Sequence, residues 1–384
     1  MDLETRFPDI GTSIFTVMSE LARTTGAVNL GQGFPDFAPP APLVEGLTRA
    51  MARGQNQYAP MHGIQPLREA VAEKVAAWHG AQVCPDTEVT VTSGASEGIL
   101  DAVLAVVRPG DEVILLDPAY DAYGPAVTLA GGHAIHVPLD PEDFQVDWAR
   151  LEAAISSSGR TRLLVLNTPH NPSGAIWRAE DMARLDGLLR GTDILVLSDE
   201  VYEHMVFDGA SHESVLRTPG LAERSFVLSS FGKTYHCTGW KVGTCIAPAS
   251  LTREFRKVHE CNTFSTFTPA QWALAEMIRA HPEHHEGLGA FLEARRDRFA
   301  AGLASTRFRP LPVAGAYFQL VDYSQVSDLP DLAFARWLCT EKGVATIPLS
   351  PFYAEPPEGQ RLVRLCFAKD DETLEAGLAR LGEA

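Results

Sequence analysis

Between residues 88 and 247 the chain alternates short apolar runs with segments of helical spacing, and this alternation restricts the fold more than any other feature of the sequence. Apolar runs stand at 89–92, 113–116, 163–166, 194–197, 226–228 and 242–247. Helical patterns lie between many of them, notably at 97–107, 151–156 and 179–189. Strands that alternate with helices form a mostly parallel sheet covered on both faces. From 268 onward the pattern changes: helices are expected at 270–280, 291–304, 332–342 and 372–381, and strands at 316–321 and 363–367. Helices at 14–22, 43–53 and 66–78 precede the alternation. The expected fold class is α/β, a mostly parallel central sheet with helices on both faces, plus a smaller α+β domain. The expected division is an N-terminal arm over 1–45 that joins the small domain, a large domain over 46–275 and a small C-terminal domain over 276–384.

In an open parallel sheet, ligands bind outside the carboxyl ends of the strands, so the residues that follow each run carry the chemistry. The run at 226–228 leads into Ser229-Ser-Phe-Gly-Lys-Thr-Tyr-His-Cys-Thr-Gly-Trp-Lys-Val-Gly243. Lys233 there is a lysine at the end of a buried strand. Desolvation disfavours its ammonium form and makes the amine a nucleophile toward a carbonyl. Ser230, three residues before it, and Lys241, eight after, have the look of phosphate ligands.

Ser-x-x-Lys followed by Gly-Trp-Lys-Val-Gly resembles the pyridoxal-phosphate-dependent aminotransferases of fold type I. Within class I the likeness is nearest to the methionine and kynurenine aminotransferase branch. The resemblance runs from Gly33 to the C-terminus and implies an enzyme with pyridoxal 5'-phosphate as cofactor. It makes Lys233 the residue that holds the cofactor covalently and later moves a proton as general base and acid. Many aspartate-type relatives carry arginine where this chain has Lys241, a point charge that binds phosphate without the bidentate fork.

The other strand ends fit the same ligand. After 89–92 comes Ser93-Gly94-Ala95-Ser96, a turn opening a helix, where free N–H groups and the helix dipole favour a phosphate; Ala95 and Ser96 are the candidates. After 113–116, Asp117-Pro118-Ala119-Tyr120 places an aromatic suited to stacking on a pyridine ring. The resemblance selects Tyr120, with Tyr123 as the alternative. After 163–166, Asn167-Thr-Pro-His-Asn171-Pro-Ser-Gly174 aims the Asn171 amide at the cofactor's phenolate oxygen. After 194–197, Asp199 keeps the pyridine nitrogen protonated, which makes the ring an electron sink. Tyr202, three residues on, donates to the phenolate oxygen beside Asn171.

Arg364 lies in an apolar strand, and buried arginine needs an anionic partner. The resemblance makes that partner the substrate α-carboxylate; an internal salt bridge is the competing reading. The resemblance also places Gly33 where backbone approaches substrate, and Phe34 near the pocket. It puts the Tyr58 hydroxyl on the phosphate of a neighbouring subunit's cofactor, which implies a homodimer with shared active sites. Dicarboxylate-specific relatives use a second arginine lent by the other subunit. The corresponding stretch 259–267 contains no arginine or lysine, and an unpaired carboxylate there would be costly. Phe15, Phe34, Phe264 and Phe267 instead suggest an apolar pocket for a neutral, fairly large amino acid of the methionine, phenylalanine or kynurenine type. The amino group would pass to a 2-oxo acid in ping-pong half-reactions.

Composition narrows the alternatives. A net charge of −17 argues against a general nucleic-acid or acidic-membrane surface, and no run reaches the length of a membrane span. Six scattered cysteines without a Cys-x-x-Cys pair give neither a disulfide framework nor a zinc site, which fits a reducing cytoplasm. No metal is expected, and His284 and His285, adjacent on a helix, read as a solvated polar patch. Gly31-x-Gly33 lacks the third glycine and a preceding strand, so it is not a dinucleotide loop. Two other readings remain open on this scaffold: a carbon–sulfur β-lyase acting on cysteine conjugates or cystathionine, and a non-enzymatic regulator, for which no DNA-reading module is visible.

Overall fold

The computed structural model of the chain describes Thr5, Phe7 and residues 10–384. After a short strand β1 (Val28–Asn29), the central sheet is built from β2 (Val89–Thr92), β3 (Glu112–Asp117), β4 (His133–Pro138), β5 (Thr161–Asn167), β6 (Leu195–Asp199), β7 (Ser225–Ser230) and β8 (Gly243–Ile246). Its order is β2-β8-β7-β6-β5-β3-β4. From β4 to β7 neighbours pair in parallel, whereas β8 runs antiparallel to both β7 and β2. The start of β8 therefore lies at the same edge as the ends of the other strands: Gly243 faces both Ser230 and Thr92.

Successive strand residues point to opposite faces, and both faces are apolar here. Ile114, Leu116, Leu164, Leu166, Val196 and Val227 belong to one buried core. Val113, Leu115, Leu163, Val165, Leu197, Phe226 and Leu228 belong to another, with Ile99 and Val103 of the helix Ala95–Val106. This is the mostly parallel, doubly covered sheet that the alternation predicts.

Two of the elements that the sequence pattern does not mark are instructive. β4 closes the sheet edge with His133 and His136 exposed, so it lacks a continuous apolar run. The helix Ala249–Asn262 carries Arg253, Glu254, Arg256, Lys257 and Glu260, and buries only Thr252, Phe255 and His259; a polar helix with so narrow a buried stripe gives little periodic signal.

The C-terminal part holds β9 (Arg309–Pro310), β10 (Phe318–Asp322), β11 (Val344–Ala345), β12 (Ile347–Pro348) and β13 (Leu362–Cys366). Four of these form an antiparallel sheet in the order β12-β13-β10-β9. The strand expected from 316 starts at Phe318, because Ala316 takes a left-handed φ of 60°. β1 pairs in parallel with β11, and the Cys366 N–H donates to the Leu30 carbonyl at 2.7 Å. The segment after the first helix, Ile14–Thr25, is thus stitched to the C-terminal strands.

His284 and His285 are a correction. They lie on the short helix Pro282–Glu286 and are not a solvated patch. His285 is buried against the rings of His204 and Trp78, and His284 stacks on Tyr235. Burial lowers the pKa of both, so they serve as aromatic packing rather than as charge.

Candidate active site

The carboxyl edge of the central sheet, the β13 face and the Gly31–Phe34 loop enclose a cavity of about 310 Å³. β6 ends on Asp199, which is 4% exposed. Its Oδ2 accepts the Tyr123 hydroxyl at 2.7 Å and its Oδ1 the Val201 N–H at 3.3 Å. Burial pushes this carboxyl up to about 6 against those bonds and the nearby Lys233 charge. β5 ends on Asn167, whose Nδ2 donates to the Asp199 carbonyl at 2.8 Å and whose Oδ1 accepts the Asn171 N–H at 2.8 Å. Two strand ends are thereby locked at fixed separation.

β7 ends on Ser230, and the helical turn Phe231–Thr234 swings Lys233 into the cavity. Its Nζ donates to the Gly33 carbonyl at 3.2 Å, an acceptor shared with the Tyr317 hydroxyl at 2.9 Å. Burial lowers the amine to about 8; Arg364 and Lys241 push the same way, while Cys366 and Asp199 oppose them. Tyr202 is buried beside it, with the amine 5.7 Å from the ring centre.

At the neighbouring edge Gly94, with φ 78°, turns the chain from β2 into the helix beginning at Ala95. Lys241, just before β8 and itself left-handed with φ 53°, donates from Nζ to Ser96 Oγ at 3.4 Å. A Cβ on Gly94 would stand 3.2 Å from Lys241 Cε, and one on Gly243 would stand 3.2 Å from the Ala95 nitrogen. The glycines let backbone N–H groups, a hydroxyl and an ammonium crowd one small volume.

Arg364, 1% exposed, crosses β13 into the cavity. Its Nη1 donates to Asn171 Oδ1 at 2.6 Å and its Nη2 to the Gly31 carbonyl at 3.0 Å. The guanidinium lies 4.0 Å from the Phe318 ring centre and 5.1 Å from that of Phe15. Among the described residues no carboxylate forms an ion pair with it, so the internal salt bridge is absent. Its Nε is buried without a hydrogen-bond partner.

The structure brings Phe15, Gly33, Phe34, Ala95, Ser96, Tyr120, Asn171, Asp199, Tyr202, Ser230, Lys233, Lys241 and Arg364 together on this cavity. Tyr58 and Phe264 stand elsewhere, 83% and 44% exposed, with ring centres 5.4 Å apart; Phe267 is 49% exposed. Sequence reasoning passed over Asn167, Tyr317 and Gln32, and it held Tyr123 only as a stacking alternative. Tyr123 instead donates to Asp199, from three residues beyond Tyr120. Its proximity in the same loop was the available signal.

These residues fit pyridoxal phosphate. The cradle of Gly94, Ala95, Ser96, Ser230 and Lys241 offers donors to a phosphate. Asp199 is a buried carboxylate suited to a cationic ring nitrogen, and Lys233 is an amine already softened for attack on an aldehyde. The unpartnered Arg364 Nε marks a guanidinium whose donors are not all satisfied within the chain.

The family model for aminotransferase class I and II matches residues 25–381. The methionine aminotransferase of Escherichia coli (strain K12) is 52% identical over 98% of this chain and 97% of its own. Kynurenine–oxoglutarate transaminase 1 of Mus musculus is 34% identical over 98% of this chain and 96% of its own. The crystal structure of an Escherichia coli protein identified as having a methionine aminotransferase function superposes with a TM-score of 0.97, at 51% identity and covering 100% of both chains.

Proposed function

The chain belongs to the class I and II aminotransferase family, and from that premise we propose which amino acids it serves and how its residues divide the work. It is a pyridoxal-phosphate-dependent aminotransferase, moving an amino group from an amino acid to a 2-oxo acid. When bound, pyridoxal phosphate supplies an electron-withdrawing, protonated ring that stabilises negative charge at the amino acid's α-carbon.

Asp199 would hold the proton on the ring nitrogen. Tyr202 and the Asn171 amide donate to the phenolate oxygen; the Asn171 carbonyl is already engaged by Arg364, which turns its Nδ2 away from the guanidinium. Tyr120 would pack against the ring. Ala95, Ser96, Ser230 and Lys241 would take the phosphate, and Lys233 would be the covalent anchor. The Lys233 amine is also the base that takes the proton from the substrate α-carbon. Arg364 clamps the α-carboxylate in a place where solvent is excluded.

The donor is a neutral amino acid with a sizeable apolar side chain, such as methionine, phenylalanine or kynurenine. One observation carries this reading. Among the described residues the cations lining the cavity are Lys233, Lys241 and Arg364, each with a role above, while Phe15, Phe34, Ile99 and Phe318 supply apolar wall. Among the described residues no further cation lines it to pair with a distal carboxylate. Steady-state kcat/KM across an amino-acid panel tests it: methionine and phenylalanine should exceed aspartate, and the reverse order would overturn it. Pyruvate release from cysteine conjugates without a 2-oxo acid would favour the lyase instead.

A homodimer with shared sites is part of the proposal, supported by the exposed Tyr58, Phe264 and Phe267. So is the division into an arm, a large domain and a small domain, which the two sheets support. A cytoplasmic setting fits six free cysteines, and among the described residues no helix is long and apolar enough to cross a membrane.

A further inference from the structure

Behind the phosphate cradle lies a cluster of buried charge that the roles above leave unused. Glu97 and Asp101 stand one turn apart on the helix that opens at Ala95, and His259 reaches them from the helix Ala249–Asn262. They are 9%, 0% and 0% exposed. His259 Nδ1 is hydrogen-bonded to Glu97 Oε1 and lies 3.6 Å from Asp101 Oδ2. Its Nε2 donates to the Met61 carbonyl at 2.6 Å. Asp101 Oδ1 accepts Asn262 Nδ2 at 2.9 Å. Both ring nitrogens therefore face acceptors, which is the hydrogen-bonding of an imidazolium. Burial alone would lower the pKa of this imidazole; the neighbouring Asp101 and Glu97 carboxylates outweigh it and carry the group up to about 10.

The other oxygen of Glu97 accepts the Ser93 N–H. Ser93 and Gly94 make the turn that aims the Ala95 N–H and Ser96 at the cavity. Ser93 Oγ also meets Thr266 Oγ1 at 3.3 Å. Met61 belongs to the segment that carries Tyr58, and Ser265 Oγ holds the same segment through the Ala59 carbonyl at 3.1 Å. One imidazolium thus ties the helix start to the stretch that presents Tyr58.

We propose that His259, Glu97 and Asp101 are positioning residues for the cofactor phosphate: the buried ion pair fixes Glu97, and Glu97 fixes the Ser93–Ser96 turn in its phosphate-accepting shape. The proposal rests on reading Ala95, Ser96 and Lys241 as the phosphate site. Its consequence is specific to the phosphate. Pyridoxal, which shares the ring and the aldehyde but lacks the phosphate, does not depend on the turn.

The test uses the full chain stripped of cofactor and titrated with pyridoxal phosphate and with pyridoxal, following the absorbance of the lysine-linked chromophore. His259→Leu should weaken pyridoxal phosphate by roughly tenfold to a hundredfold, the range of a lost charge-assisted hydrogen bond, and leave pyridoxal unchanged. Glu97→Gln, which keeps an acceptor for Ser93, should fall between. Should His259→Leu not fold, Asp101→Asn carries the same comparison with size preserved. Equal losses for both ligands, or none, would overturn the proposal, as would a stoichiometric divalent ion held by these three residues. A preference for pyridoxal phosphate that Lys241→Ala leaves undiminished overturns the phosphate-site reading itself. One that moves with Lys241→Ala and not with His259→Leu overturns only the positioning role.

Discussion

A lysine amine ordinarily titrates near 10.5, and Lys233 departs from that because the chain encloses it, lowering it to about 8. With the free amine as the proposed nucleophile, covalent attachment of pyridoxal phosphate to the stripped protein should speed up through about pH 8 and then level off. Stopped-flow absorbance against pH measures this, and a rise continuing past pH 10 would contradict it. Lys233→Ala should lose borohydride-fixable cofactor altogether. Asp199 shows the opposite cost. Burial raises its carboxyl from 3.8 to about 6, so the folded, cofactor-free chain holds that proton more tightly than the unfolded chain does. Its stability is undiminished below about pH 3.8, declines as pH rises toward 6 and stays reduced above, by about 3 kcal/mol. Asp199→Asn keeps an acceptor for Tyr123 and removes the charge. It should raise the melting temperature of the cofactor-free chain at pH 7 while turnover collapses; a lower melting temperature at pH 7 would contradict the burial argument. The charge that weakens the empty fold is the one proposed to hold the cofactor's ring proton.

At the scale of elements, the decisive placements are those of a loop and one reversed strand. The Gly33 carbonyl accepts from both Lys233 and Tyr317. A Cβ there would lie 2.9 Å from Phe318 Cε1 and 3.5 Å from Arg364 Nη2. Gly33→Ala should therefore displace the guanidinium proposed to clamp substrate and lower kcat/KM by roughly tenfold to a hundredfold, leaving the cofactor absorbance unchanged. Steady-state kinetics beside an absorbance spectrum separate the two. The elements themselves were largely legible. Val89–Thr92 and the helix Ala179–Leu189 keep the bounds that their periodicity predicts, because consistent apolar patterning leaves little choice of register. The edge strand β4 and the helix Ala249–Asn262 were not, since each buries too narrow a face to mark itself. The missed helix is the one that carries His259, so the charge cluster behind the cradle was hidden with it.

For the whole molecule, Tyr58 bears on assembly, as it is 83% exposed and lies away from the cavity of its own chain. If it completes a neighbour's site, light scattering should report twice the mass of the chain, and Tyr58→Phe should weaken cofactor retention without altering that mass. A fully active monomer would contradict the shared site. The linear order of residues decided the strand–helix alternation, the strand-end lysine flanked by Ser230 and Lys241 and the acid at the end of β6, because each depends on neighbours within a few positions. Folding in three dimensions decided the rest. It set Asn171 against Arg364 across 193 residues, gave Asp199 the Tyr123 hydroxyl, reversed β8 so that Lys241 reached the cradle and placed His259 between two carboxylates. Those contacts join residues far apart in the chain, and they exist only where packed strands and helices bring distant side chains within bonding distance.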